Sequence, residues 1–179
     1  MKKVAVLLAD GFETIEALTV VDILRRAEIC CHTFSLDGMD VCTSHKIIVR
    51  ADKSIDEKEI KDYDCLVIPG GMPGAKNLKE DTRVIRLIKD FNNDGKLICA
   101  ICAGPIALAE AGIIEGKDIT CYPGFESELG DCNYKEELVV NYENIITGRG
   151  PAAAVEFAFE ILRKLEPEKL ETIKSKMLF

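Results

Sequence analysis

Unbroken apolar runs alternate along the chain with longer stretches in which apolar residues recur every three or four positions. "KVAVLLA" (3–9) is continuous, as expected of a strand buried on both faces. "TIEALTVVDILRRAE" (14–28) then carries Ile15, Leu18, Val21 or Asp22, and Leu24 or Arg25 on a helical stripe. Its arginines lie near the C-terminal end, where the helix dipole favours them. "ICCHTFSL" (29–36) reads as a second strand, and "DVCTSHKIIVRAD" (40–52) as a short hairpin or two edge strands. Residues 54–62 are charged and predict a short helix or turn. "DCLVIPGG" (64–71) is another buried strand, ending in a glycine pair. A helix is predicted within 77–96, stopping near Asn92–Gly95. "LICAI" (97–101) is a strand, and "GPIALAEAG" (104–112) a helix with Pro105 in its first turn. Residues 118–123 predict a strand, and 137–148 two short strands around Glu143-Asn144. A helix over 150–165 and an amphipathic stretch in the last dozen residues complete the chain.

Strands alternating with helices imply βαβ units, and so an α/β fold: a mainly parallel sheet with helices on both faces, plus a small hairpin. In such folds the functional crevice lies at the carboxyl ends of the strands. Asp10-Gly11, Gly70-Gly71, Cys102 and Gly148-Arg149-Gly150 all fall there. No internal repeat, low-complexity tract or linker interrupts the pattern, so residues 1–179 are expected to form one domain.

Composition narrows the class. Apolar residues at 47% and charged residues at 30% suit a soluble globular chain. No apolar run approaches the roughly 20 residues that span a bilayer. The basic-then-apolar start resembles a signal peptide, but its apolar run is six residues long and acidic residues follow it, so a first strand is the better reading. With 23 Lys and Arg against 31 Asp and Glu, the net charge of −8 repels phosphate backbones and argues against nucleic-acid binding. The eight cysteines lie mostly in strand-like runs, where cysteine packs as a small hydrophobe. Without a secretory signal, a reducing cytoplasmic location and free thiols are expected.

Cys102 stands at a strand-to-helix corner, "ICAGP". Such a corner can hold a sulfur out of the sheet, facing the first N–H groups of the helix, which favour thiolate. A buried small residue before a helix is the other reading. Gly70-Gly71 can turn N–H groups into the same crevice, making an oxyanion hole with Ala103 N–H, or can be an ordinary turn. Glu13 and Glu16 open the first helix. Glu13 suits the helix dipole, whereas Glu16, between Ile15 and Leu18, can face inward and share a proton with Cys102. Cys99 and Cys102 mimic a redox CxxC, but an extended chain puts their Cα atoms about 10 Å apart at ~3.3 Å per residue. A disulfide needs less than about 7 Å. No further cysteine or histidine cluster suggests a metal. His32 reads as a strand residue, and His45 lies in the hairpin.

"VAVLLADGFETIEALTVVDILRRA", "DCLVIPGGMPGAKNL", "ICAICAGPIALAEAGII", "TCYPG" and "TGRGPAAAVEFAFEIL" closely resemble, in this order, the ThiJ/PfpI superfamily. The branch is that of the parkinsonism-associated protein deglycase. The resemblance implies a flavodoxin-like three-layer sandwich and a homodimer. It implies a nucleophilic Cys102, a partner carboxylate on Glu16, and oxyanion donors on Gly71 and Ala103. It also implies glutathione-independent glyoxalase or deglycase activity on small 2-oxoaldehydes such as methylglyoxal, without cofactor or metal. Oxidant sensing or chaperone behaviour read out at Cys102 is the alternative. Gly70, Tyr122, His45 and Arg149 are possible pocket residues. Relatives often carry histidine at Tyr122, and can carry an arginine near His45. The protease-like branch has histidine where Ala103 stands, which weighs against proteolysis.

Overall fold

A computed structural model describes residues 1–179. In chain order it runs β1 (Lys3–Leu8), α1 (Thr14–Arg26), β2 (Cys30–Ser35), β3 (Asp40–Cys42), β4 (Ile48–Arg50), β5 (Lys53–Ser54) and a 3-10 turn over Lys58–Asp62. It continues with β6 (Cys65–Ile68), α2 (Gly74–Glu80), α3 (Thr82–Asn93), β7 (Leu97–Ile101), α4 (Pro105–Glu110), β8 (Asp118–Ile119) and β9 (Asn133–Tyr134). It ends with β10 (Val139–Tyr142), β11 (Ile145–Gly148), α5 (Ala154–Leu165) and α6 (Leu170–Lys176).

Seven strands make the central sheet in the order β10-β11-β7-β6-β1-β2-β5. Every pairing in it is parallel except β10 with β11. Side chains alternate across the sheet as the strand period requires. Val4, Val6 and Leu8 of β1, with Val67, Cys99 and Ile101, face the layer of α1, α5 and α6. Ala5 and Leu7, with Leu66, Ile68, Ile98 and Ala100, face α2, α3 and α4. The result is the three-layer sandwich expected, with β3 and β4 as the separate hairpin.

Three expectations are corrected. The helix placed within 77–96 is two helices, because Asp81 stops α2 and caps α3 by accepting the Arg83 N–H. The strand placed at 118–123 ends at Ile119 and pairs with β9 outside the central sheet. Past it the backbone turns to other partners: Thr120 N–H donates to Thr147 Oγ1 and Tyr122 N–H to the Cys102 carbonyl. Finally, α1 is rotated from the predicted stripe. It buries Glu16, Ala17, Val20, Val21, Ile23 and Leu24, while Ile15 is 53% exposed. Turning Glu16 inward is what carries Ile15 out, since adjacent helical residues point about 100° apart.

Candidate active site

The chain leaves β7 at Ile101 and enters α4 at Pro105, and Cys102 makes the corner with φ of +63°. An L residue rarely holds that left-handed conformation unless its surroundings fix it. Here Cys102 N–H donates to the Gly148 carbonyl at 2.8 Å, and its carbonyl accepts the Tyr122 N–H at 2.9 Å. Gly104 completes the elbow. A Cβ there would lie 2.5 Å from the Ile68 carbonyl oxygen, so only glycine lets the helix start this close to the sheet.

Two glycines join the elbow to α1. Gly71 has φ of +85°, and a Cβ on it would lie 2.4 Å from the Glu13 nitrogen. Gly70 donates its N–H to Glu16 Oε2 at 2.8 Å and accepts the Glu13 N–H at 2.9 Å. A Cβ on Gly70 would stand 2.7 Å from Cys102 Cβ, 2.8 Å from Glu16 Oε2 and 2.9 Å from the Ala103 nitrogen. The bare backbone of Gly70 is therefore what allows carboxyl, sulfur and turn to meet.

Glu16 is fully buried. One oxygen takes the Gly70 N–H; the other, Oε1, has no hydrogen-bond partner, and the carboxyl and Cys102 flank the same face of Gly70. Burial is the main cause that raises its pKa to about 7; the thiol and the Gly70 N–H oppose that rise, and the Glu13 charge adds to it. Cys102 is 9% exposed. Burial pushes its thiol up, and an ionised Glu16 pushes it further; the Ala103 and Gly71 N–H groups pull it down.

This corrects the simple expectation of a thiol acidified by a helix. The helix α4 is only six residues long, and the donors that act on sulfur come from the elbow and the glycine turn. The part of the rise due to Glu16 exists only while Glu16 is charged. With one proton shared, placing it on Glu16 gives the sulfur three donors: the carboxyl and two backbone N–H groups. Placing it on sulfur leaves those two N–H groups aimed at a thiol, a weak acceptor. The donors oppose the effect of burial on a thiolate beside a neutral carboxyl, and the two groups titrate as a pair.

The other predicted residues divide. Tyr122 is brought to the elbow by its backbone and is 46% exposed. His45 reaches α1 rather than the sulfur: its Nδ1 lies 3.0 Å from Ser44 Oγ and 3.5 Å from Glu13 Oε2. Ser44 Oγ also donates to Glu13 Oε2 at 3.0 Å. Ser44 was not visible as a site residue, since nothing in "TSHK" marks a contact across the fold. Glu13 is thus more than a dipole charge. Arg149 is held on Glu136: its guanidinium donates to the Glu136 carbonyl and lies 3.6 Å from the Glu136 carboxylate.

All eight cysteines are free. Cys99 faces not Cys102 but Cys65, with sulfurs 3.8 Å apart across β6 and β7. His32 sits on β2, its Nδ1 2.6 Å from Tyr63 Oη. No group of three or more His, Cys, Asp and Glu side chains converges in a metal-binding arrangement, and no helix is long and apolar enough to cross a membrane.

Comparison with known proteins agrees with this fold. The model of the DJ-1/PfpI family matches residues 2–164. The chain is 38% identical over 169 residues to the Parkinson disease protein 7 homolog of Danio rerio, covering 92% of this chain and 89% of that protein. Its fold superposes on the crystal structure of Drosophila melanogaster DJ-1beta with a TM-score of 0.95 at 36% identity, covering 99% and 98% of the two chains. Oxidized Toxoplasma gondii DJ-1 superposes with a TM-score of 0.94 at 35% identity, covering 100% of this chain and 99% of that one. On the match across nearly its whole length and the sandwich it shares with these structures, the chain belongs to the DJ-1/PfpI family.

Proposed function

We propose that the protein is a cysteine-dependent enzyme that converts small 2-oxoaldehydes to 2-hydroxy acids, with methylglyoxal giving lactate. The observation that carries this reading is the buried Glu16 carboxyl, raised to about 7, packed with Cys102 and the Ala103 nitrogen around the bare backbone of Gly70. A group with that pKa exchanges protons in either direction near neutrality. The Cys102 thiolate adds to the aldehyde carbon, forming a C–S bond and an alkoxide. Gly71 and Ala103 N–H groups hold that oxyanion, and Glu16 gives it its proton. As carboxylate, Glu16 then removes the hydrogen from the former aldehyde carbon and returns it to the neighbouring carbon, while the proton of the new hydroxyl passes to the former ketone oxygen. The aldehyde carbon is oxidised and the ketone carbon reduced, so no external oxidant is used. Water hydrolyses the resulting thioester and frees the thiol. Deglycation of methylglyoxal adducts would use the same thiolate and donors.

The test is lactate formation from methylglyoxal by purified protein. Turnover that vanishes in Cys102→Ala and in Glu16→Gln is expected; turnover unaffected by Cys102→Ala overturns the reading. An oxidant-sensing reading is favoured by one feature of the same site. A neutral Glu16 can donate to a sulfinate oxygen on Cys102, holding oxidation at that stage. Absence of lactate with stoichiometric sulfinate after peroxide would select it, with chaperone behaviour its expected consequence.

Function as a cytoplasmic homodimer belongs to the same proposal. Ile15, Ile47 and Ile48 are 53%, 51% and 71% exposed. A main-chain bond from the Ser44 N–H to the Phe12 carbonyl brings the start of α1 beside the hairpin that carries Ile47 and Ile48. We assign this apolar face to contact with a second copy.

A further inference from the structure

We infer that Tyr122 and Met72 form an apolar rim that selects uncharged carbonyl substrates with an aryl or bulky apolar tail over methylglyoxal. The inference rests on the enzymatic reading above. Both residues adjoin the Cys102 elbow or the glycine turn packed against it. Tyr122 donates its N–H to the Cys102 carbonyl at 2.9 Å. Met72 directly follows the Gly70-Gly71 turn, where a Cβ on Gly70 would stand 2.7 Å from Cys102 Cβ. The two side chains are 46% and 47% exposed, although Cys121 and Thr120, just before Tyr122, are fully buried. The Tyr122 ring is held in a defined place. A Cβ on Gly150 would lie 3.1 Å from its Cδ2 and 3.6 Å from its Cε2, so the ring rests on bare backbone there. That backbone is two residues past Gly148, which accepts the Cys102 N–H.

A fixed ring with an open face recognises another ring or a branched apolar group, and a thioether adapts to either. Charge points the same way. Arg149 is committed to Glu136, and His45 to Ser44 and Glu13. Arg149, the one permanent cation among the predicted pocket residues, is thus paired with a carboxylate of the protein rather than left for one on the substrate. The tail selected is therefore apolar and uncharged.

The experiment compares phenylglyoxal with methylglyoxal by kcat/KM in the wild type, Tyr122→Ala, Tyr122→Phe and Met72→Ala. A second arm needs no turnover. It measures the rate at which Cys102 is alkylated by N-phenylmaleimide relative to N-ethylmaleimide, normalised to the same ratio for a free thiol and read by peptide mapping. A phenyl preference of about three- to ten-fold is expected, from the size of one aromatic contact. It should fall in Tyr122→Ala, fall in part in Met72→Ala and return in Tyr122→Phe. A phenyl preference in alkylation without turnover of either aldehyde supports the rim and overturns the glyoxalase reading. No phenyl preference in either arm, or one that survives in Tyr122→Ala, overturns the rim.

Discussion

At Glu16 a single side chain couples stability to reactivity. In the unfolded chain its carboxyl ionises near 4.5, and in the fold at about 7. Counted over the pair, the unfolded chain keeps one proton between those values, on the Cys102 thiol, and the native site keeps one, on Glu16, so the exchange leaves native stability nearly level across the window. Glu16→Gln keeps an acceptor for the Gly70 N–H and has no carboxyl to titrate. Its stability by urea denaturation should run parallel to the wild type's between about pH 5 and about pH 7; a gain over the wild type that grows with pH would show that the native pair holds two protons, with no thiolate. Glu13→Gln should not be silent. Removing its charge should lower the Glu16 pKa, because that charge contributes to the rise. Much of this residue chemistry was legible. Cys102 was marked by its corner, and Glu16 by its place one turn into a helix near the crevice. The Ser44 and His45 contacts to Glu13 were not, because a hairpin's reach onto a distant helix has no local sequence signal. The turn of Arg149 toward Glu136 was hidden for the same reason: its partner is fixed by how the 136–138 segment lies beside β11, not by spacing.

At the scale of elements, the glycine turn after β6 and the elbow after β7 act as one part. Gly70→Ala would drive a Cβ to 2.7 Å from Cys102 Cβ and 2.9 Å from the Ala103 nitrogen. Two of the atoms it meets belong to pinned backbone or its first carbon, so they cannot simply rotate away. We expect a loss of roughly 1–3 kcal/mol from overpacking. Alkylation by limiting iodoacetamide, selective for Cys102 in the wild type, should lose that selectivity. Wild-type selectivity for Cys30, Cys42 or Cys132 would instead show that exposure alone sets thiol reactivity. Cys99 points to Cys65 with their sulfurs 3.8 Å apart, so mild oxidation followed by non-reducing peptide mapping should show no bridge between Cys99 and Cys102. The strands were readable because burial on both faces leaves unbroken apolar runs. The break at Asp81 was obscured because the apolar positions continue in register from Leu78 to Val84 and Ile85 across it. The early end of β8 had a different cause: Thr120 and Tyr122 spend their N–H groups on Thr147 and Cys102, which are tertiary partners.

Across the whole molecule, the sheet order places β1, β6 and β7 side by side. Their carboxyl ends therefore bring Gly11, Gly70-Gly71 and Cys102 to one crevice, and α1 lays Glu16 into it. That convergence followed from the alternation of strands and helices, since parallel neighbours open their functional ends on the same side. The surface was less legible, because the rotation of α1 that exposes Ile15 depends on where Glu16 is buried. If the Ile15, Ile47 and Ile48 face joins two copies, Ile48→Asp should shift sedimentation from dimer to monomer at micromolar concentration. A wild type that sediments as a monomer contradicts the dimer. The reactivity of the molecule as a whole turns on the one proton that Glu16 and Cys102 share, and ultraviolet thiolate absorbance against pH reads it directly. With Cys102→Ala as the baseline, a Cys102 thiolate should be present at neutral pH in the wild type and displaced to higher pH in Glu16→Leu. A Cys102 thiolate that first forms above about pH 9, near the ordinary thiol value, or one that forms equally in Glu16→Leu, would contradict a sulfur held ionised by a neutral carboxyl.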